Sequence, residues 1–195
     1  MHGLINRSIE SFVTDAHGHD GWAAVAARAG LEMQSFEAML LYDDALTSQV
    51  LDATSEIFAR PREEIMEDIG TYLVANPRFE AVRRLLRFGG VDFQEFLHSL
   101  DDLPDRARMA VPELQLPRLE LREHAAGQFS LICDAPIDGF GFTMMGVLRV
   151  MADDYGALAL LDHTGAGAGF ETLSITLVDA EFSTGRDFDL GARVA

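Results

Sequence analysis

The apolar residues of this chain change their spacing near residue 115, and that change limits the fold more than any other feature. Before it they recur at intervals of three and four. Leu4, Ile5, Ile9, Phe12 and Val13 form one such stripe, the mark of an amphipathic helix. A second helical segment runs from about His19 to Ala29, carries Trp22 and stops at Gly30. LYDDALTSQVLDATSEIFA supplies Leu46, Val50, Leu51, Ile57 and Phe58 at the same spacing. Pro61 breaks that segment and starts REEIMEDIGTYLV, whose acidic first turn suits a helix N-terminus. NPRFEAVRRLLRFGG reads as a further short helix, opened by Asn-Pro and closed by a glycine pair.

Beyond the change, LPRLELREH and QFSLICDAP read as strands either side of a turn near Gly127. GFTMMGVLRVMADDYG reads as a helix, and ALALLDH and FETLSITLVDA as a second pair of strands. TGAGAG lies between that pair. It lacks the Lys and Ser/Thr of a Walker motif and joins strand to strand, so a flexible hairpin loop is expected rather than a phosphate cradle. The expected fold class is α+β: a helical N-terminal subdomain, then a small antiparallel sheet with a packed helix. One domain is expected over 1–182, divided into 1–60 and 61–182, with a tail at 183–195.

Charge and cysteine content narrow the function. The 195 residues include 15 Lys plus Arg against 32 Asp plus Glu, a formal net charge of -17. Such a surface repels phosphate backbones and anionic membranes, so no nucleic-acid partner is expected. No apolar run reaches the length needed to span a bilayer, and MHGLINRSIESFV lacks the pattern of a signal peptide. A lone cysteine, Cys133, permits no internal disulfide and fits a reducing, cytoplasmic setting. The six histidines form no spacing typical of a zinc site.

DFQEFLHSLDDLPDRARM, residues 92–109, focuses the question of a cofactor. Asp92 and Glu95 predict a capping box, with Val91 and Phe96 as a hydrophobic staple. On a helical wheel, Phe93, Phe96, Leu97 and Leu100 share one face and His98 points away from it. Position 104 returns to that apolar face, and it is a proline. Pro104 has no lone pair to offer a metal and forces a break or restart of the helix.

These stretches together resemble a known family. MHGLINRSIESFV, Trp22, Ala29-Gly30, YDD at 42–44, FLHSLDDL and VPELQLPRLEL follow the order and spacing of the haem nitric-oxide/oxygen binding (H-NOX) domain, from Met1 to about Val178. The resemblance implies an H-NOX-like fold in which a helical subdomain and a sheet region hold a haem between them. It also implies a signalling partner such as a histidine kinase or a cyclic-di-nucleotide enzyme.

The residues depart from that pattern at two points. The family's iron ligand ends an Asn/Asp-x-Leu-His stretch; here the stretch is DDLP, so Pro104 stands at the matching position. The family's Tyr-x-Ser-x-Arg strand, which holds the porphyrin carboxylates, matches Cys133, Ala135 and Ile137. These three are expected to share a strand face and cannot pair with carboxylates. Pro117 matches a proline that presses on the haem, and Ile5 a distal pocket position. The six matched residues are thus expected to line a pocket rather than to ligate haem.

The expectation is therefore a sensor-like module with no haem cofactor, acting through another apolar ligand or through protein contacts. One alternative keeps haem on an unconventional ligand, with His2 on the apolar face of the first helix as the candidate. Another is a thiol-dependent enzyme built on Cys133 with His163 or His124. Cys133 reads as an inward, buried strand residue, which opposes that chemistry, so no catalytic role is expected. His17, His19 and His124 fall near predicted ends or turns.

Overall fold

The computed structural model describes residues 1–167 and 169–187. The predicted change of texture is real: six helices precede the sheet, and a seventh lies between its two hairpins. Helix α1 (Gly3–Arg28) is one element with a kink at Gly18, where φ is 76° and ψ 174°. Only glycine adopts such a backbone without strain, which is why the sequence reads as two helical segments. Helices α2 (Asp44–Phe58) and α3 (Arg62–Ala75) follow. Ile9, Val13, Trp22, Val25, Val50 and Leu51 fill the core between the first two helices.

Helix α4 (Glu80–Arg87), α5 (Phe93–His98) and α6 (Leu103–Ala110) form a broken run across one side of the molecule. The Asp92 side chain accepts from Glu95 N at 2.8 Å, as a capping box requires. The return bond differs, because Glu95 accepts from Val91 N at 3.0 Å, one residue earlier than expected. The staple does not form: Val91 is 83% exposed. A 3-10 turn at Leu100–Asp102 precedes α6, with Pro104 in its first turn where a missing N–H costs nothing.

Strands β1 (Arg118–Ala125) and β2 (Gln128–Asp134) form the first hairpin. Helix α7 (Phe140–Tyr155) leads to β3 (Leu158–Gly167) and β4 (Phe170–Asp179). All pairings are antiparallel, in the order β1-β2-β4-β3. Two strand bounds correct the expectation. The glycine tract is mostly strand, with the turn left to its end at Gly169: Gly165, Ala166 and Gly167 pair with Thr172, Glu171 and Phe170 after a bulge beyond His163. Strand β4 supplies the ladder there, so the weak strand preference of glycine is overridden. Strand β2 ends at Asp134, two residues early, because Pro136 has no amide for a ladder.

The sheet packs one face on α7, with Phe129, Leu131, Leu148, Met151, Leu173 and Ile175 in a single cluster. Helix α3 serves both cores, giving Ile65, Met66 and Ile69 to the helical one and Val74 to the other. It meets α7 backbone to backbone. A Cβ on Gly70 would lie 2.0 Å from the Thr143 carbonyl, and one on Gly146 would lie 2.0 Å from that of Glu67. The two glycines let the helices seal the seam between the helical and sheet halves. Of the expected tail, residues 183–187 return to α7, with Ser183 N donating to Gly156 O at 2.8 Å. Residues 188–195 lie outside the described residues.

Candidate functional site

The register of β2 with β4 places Glu171 directly opposite Cys133. Cross-strand partners share a face, so this carboxylate points to the same side as Leu173 and Ile175. It is 7% exposed, yet it is fully engaged. Its Oε1 accepts from Gly139 N at 2.7 Å, and its Oε2 from Gly141 N at 3.1 Å. The second oxygen also lies 2.9 Å from His163 Nε2. Helix α7 has no side-chain cap of its own at Gly139. Its first amides are orphan donors at the positive end of a helix, and an anion from β4 satisfies them. Position 141 must be small, since a Cβ there would sit 2.7 Å from Glu171 Oε2.

His163 lies flat against Phe142, with ring centroids 4.3 Å apart and planes inclined by 8°. Cys133 is 1% exposed, and its thiol is pushed up to about 12, first by burial and then by the charge of Glu171. A thiolate is therefore not formed near neutral pH.

A cleft of about 540 Å³ opens beside this group, between the start of α3 and the tip of the β3–β4 hairpin. Arg62, Glu63 and Met66 form one wall, and Gly139, Phe142 and His163 the other. Arg62 crosses the seam: it pairs with Asp52 on α2 and donates to the Asp138 carbonyl at 3.4 Å.

The positions matched from sequence are divided between the two cores. Cys133 belongs to the sheet cluster, while Ile137, 7% exposed, packs into the helical one. Ala135 and Ile137 lie beyond the end of β2, so strand alternation does not align them with Cys133 as expected. Pro104 is buried and borders a second cleft of about 420 Å³ with Leu116 and Leu119. Pro117, half-buried, precedes β1, and Ile5 is half-buried on α1.

The histidines also find their places. His98 faces outward as predicted, 3.5 Å from Glu123, with its ring edge-on to Phe129. His2 is not on a helical face but caps α1; its Nδ1 accepts from Leu4 N at 3.2 Å, and its buried Nε2 has no partner. His17 stacks on Phe58, and His124 bonds Ser130 at 2.7 Å. His163 lies within β3, in the strand read from ALALLDH. Glu171 was missed from sequence, although its parity with Leu173 and Ile175 marks a charge on an inward face.

The family's haem can be tested against this donor set. Pro104 offers no lone pair to iron. Cys133 is held as a neutral thiol, and neither Ala135 nor Ile137 has a polar side-chain atom. Across from Cys133 stands the Glu171 carboxylate, which already occupies the Gly139 and Gly141 amides. The matched residues do not fit a haem held in the family's manner.

A family model described as haem-NO-binding matches residues 2–159. The soluble guanylate cyclase gcy-31 of Caenorhabditis elegans is 24% identical over 155 residues, covering 79% of this chain and 22% of that protein. The soluble guanylate cyclase gcy-35 of the same organism is 30% identical over 104 residues, covering 53% of this chain and 15% of that protein. The chain thus spans less than a quarter of the length of these relatives. An H-NOX protein from S. oneidensis, in its Fe(II)NO ligation state, superposes with a TM-score of 0.76 at 17% identity, over 92% of this chain and 100% of that one. An Fe(II) unliganded H-NOX mutant from K. algicida gives 0.78 at 16% identity, over 92% and 97% of the two chains. These likenesses show the fold, and the family match covers most of the sequence. The chain belongs to the haem-NO-binding domain family.

Proposed function

We propose that this domain is a sensor-like signalling module that works without the family's haem, through another apolar ligand or through protein contacts. The observation that carries this reading is the placement of Glu171 opposite Cys133. An anion already sits beside the strand position matched to the porphyrin-carboxylate cradle. Bringing further carboxylates there would set like charges together with little water to screen them. Pro104, buried at the position matched to the iron ligand, supports the same reading. The test is titration of the recombinant protein with haem. No stoichiometric Soret complex is expected, and a tight one-to-one complex sinks the proposal.

A second reading keeps haem on an unconventional ligand. The buried, unpartnered Nε2 of His2 supports it. Substituting His2 by Ala then abolishes any Soret shift; an unchanged shift rejects His2 as the ligand. Thiol-dependent catalysis is disfavoured by the raised Cys133 thiol, and the proposed role is sensing rather than catalysis.

The proposed partner is a signalling enzyme. The family resemblance suggests a histidine kinase or a cyclic-di-nucleotide enzyme, and the relatives named above are guanylate cyclases. The net charge of -17 suits a basic contact surface on that partner and opposes nucleic acid. The proposed location is the cytoplasm, and no described helix is long and apolar enough to cross a membrane.

A further inference from the structure

We infer that the cleft between α3 and the β3–β4 hairpin binds a flat, apolar, cationic molecule. This rests on the haem-free reading above and gives its ligand a chemical class. The cleft is large enough for a small ring system, at about 540 Å³. Its walls offer three kinds of recognition.

The first is a flat aromatic surface. Phe142 and His163 are stacked and both line the cleft, so the ring pair is held in place before any ligand arrives. A fixed aromatic group attracts a second ring and attracts a cation more strongly. The second is Met66, whose polarizable thioether also lines the cleft and accommodates ring edges.

The third is charge. Arg62 is the formal cation in the lining, and its charge is opposed by Asp52. Its guanidinium also donates to the Asp138 carbonyl at 3.4 Å, which holds it on the wall of the cleft. Glu171 is a satisfied carboxylate, with two amides and His163 around it. Glu63 and Asp138, by contrast, are exposed at the cleft, and among the described residues neither side chain pairs with a base. Two unpaired carboxylates beside an aromatic face favour an organic cation over a neutral ring and disfavour an anion. The same charges oppose a porphyrin dicarboxylate, so one arrangement accounts for both preferences. The net charge of -17 adds a long-range field of the same sign.

The test uses three probes of similar shape: N-methylquinolinium, quinoline and 2-naphthoate. Binding is measured by calorimetry, and the position by NMR shifts of Phe142 and His163. N-methylquinolinium should bind at the Phe142–His163 pair about tenfold or more tighter than 2-naphthoate. The double variant Glu63→Gln/Asp138→Asn alters exposed side chains and should remove most of that preference, leaving quinoline binding unchanged. Phe142→Leu should weaken both ring probes that bind.

Equal or tighter binding of 2-naphthoate overturns the inference. So does a cation preference that survives the double variant, which would come from the general field and not from the cleft. Absence of binding by all three probes also overturns it. The haem-free reading fails on a different result, a stoichiometric Soret complex. If quinoline alone binds, the cationic class is wrong and an apolar ligand still stands.

Discussion

Glu171 stands opposite Cys133 across the β2–β4 pairing, and both groups are buried. Burial first, and the carboxylate's charge second, keep the thiol protonated, while the amides of the α7 N-terminus keep the carboxylate satisfied.

The thiol should be inert in the folded protein. Its folded pKa is raised from 9.0 to about 12, so its contribution to stability is fully present below the unfolded value and is lost as pH rises between the two. Labelling of Cys133 by a disulfide reagent at pH 8 should follow unfolding rather than thiolate formation. Glu171→Gln should lower the thiol pKa, though not to its ordinary value, because burial is the larger cause. Ultraviolet titration of the thiolate checks this.

The seam between α3 and α7 should tolerate no side chain at its glycines. Gly146→Ala would place a Cβ 2.0 Å from the Glu67 carbonyl and 2.7 Å from Thr71 N, both backbone atoms. A loss of about 1–3 kcal/mol is expected from this overpacking. Gly165→Ala meets nothing within 4 Å, and a change within about 0.5 kcal/mol is expected. Urea denaturation of the two variants makes the comparison.

Tyr72 should titrate late. Its hydroxyl donates to Asp15 at 2.8 Å, and burial followed by that hydrogen bond pushes its pKa up to about 12. The stability it contributes is present below the ordinary value of 10.0 and is lost as pH rises toward 12. Asp15 is shifted downward, chiefly by the same hydrogen bond, so its contribution is lost only in strong acid, below the usual carboxylate range. Asp15→Asn should bring the Tyr72 titration back toward its ordinary value, as read by phenolate absorbance.

The cap of α5 should be separable from its missing staple. Asp92→Ala removes the bond to Glu95 N and should cost about 1 kcal/mol. Val91→Thr changes a side chain that is 83% exposed and should leave stability within about 0.5 kcal/mol of the parent. Thermal unfolding of both variants distinguishes the two devices.

Pro104→His supplies an imidazole at the position matched to the iron ligand but no partner for porphyrin carboxylates. No stoichiometric haem complex is expected from this change alone, because Cys133, Ala135 and Ile137 still offer no pairing. Absorbance spectra after haem addition decide the point, and a full Soret complex would show that the iron ligand alone was missing.

Apolar spacing was enough to read most of the helices, with two segments either side of what is the Gly18 kink in α1, and the outward turn of His98. It also placed Pro104 on the buried face, since helical phase is a local property carried by each stretch of chain. Strand ends were less legible. The tract 164–167 has no side-chain pattern of its own and is extended because β4 hydrogen-bonds to it. Val91 looked like a staple because its spacing from Phe96 fits one, and spacing alone does not bury a side chain that the structure leaves exposed.

The sequence by itself determined the α+β order, the inward proline, the lone inward cysteine and the absence of polar groups at positions 135 and 137. Only the tertiary structure decided that Glu171 faces Cys133, caps α7 and meets His163. Register joins residues far apart in the chain, and no local periodicity records which strand position will stand across from which.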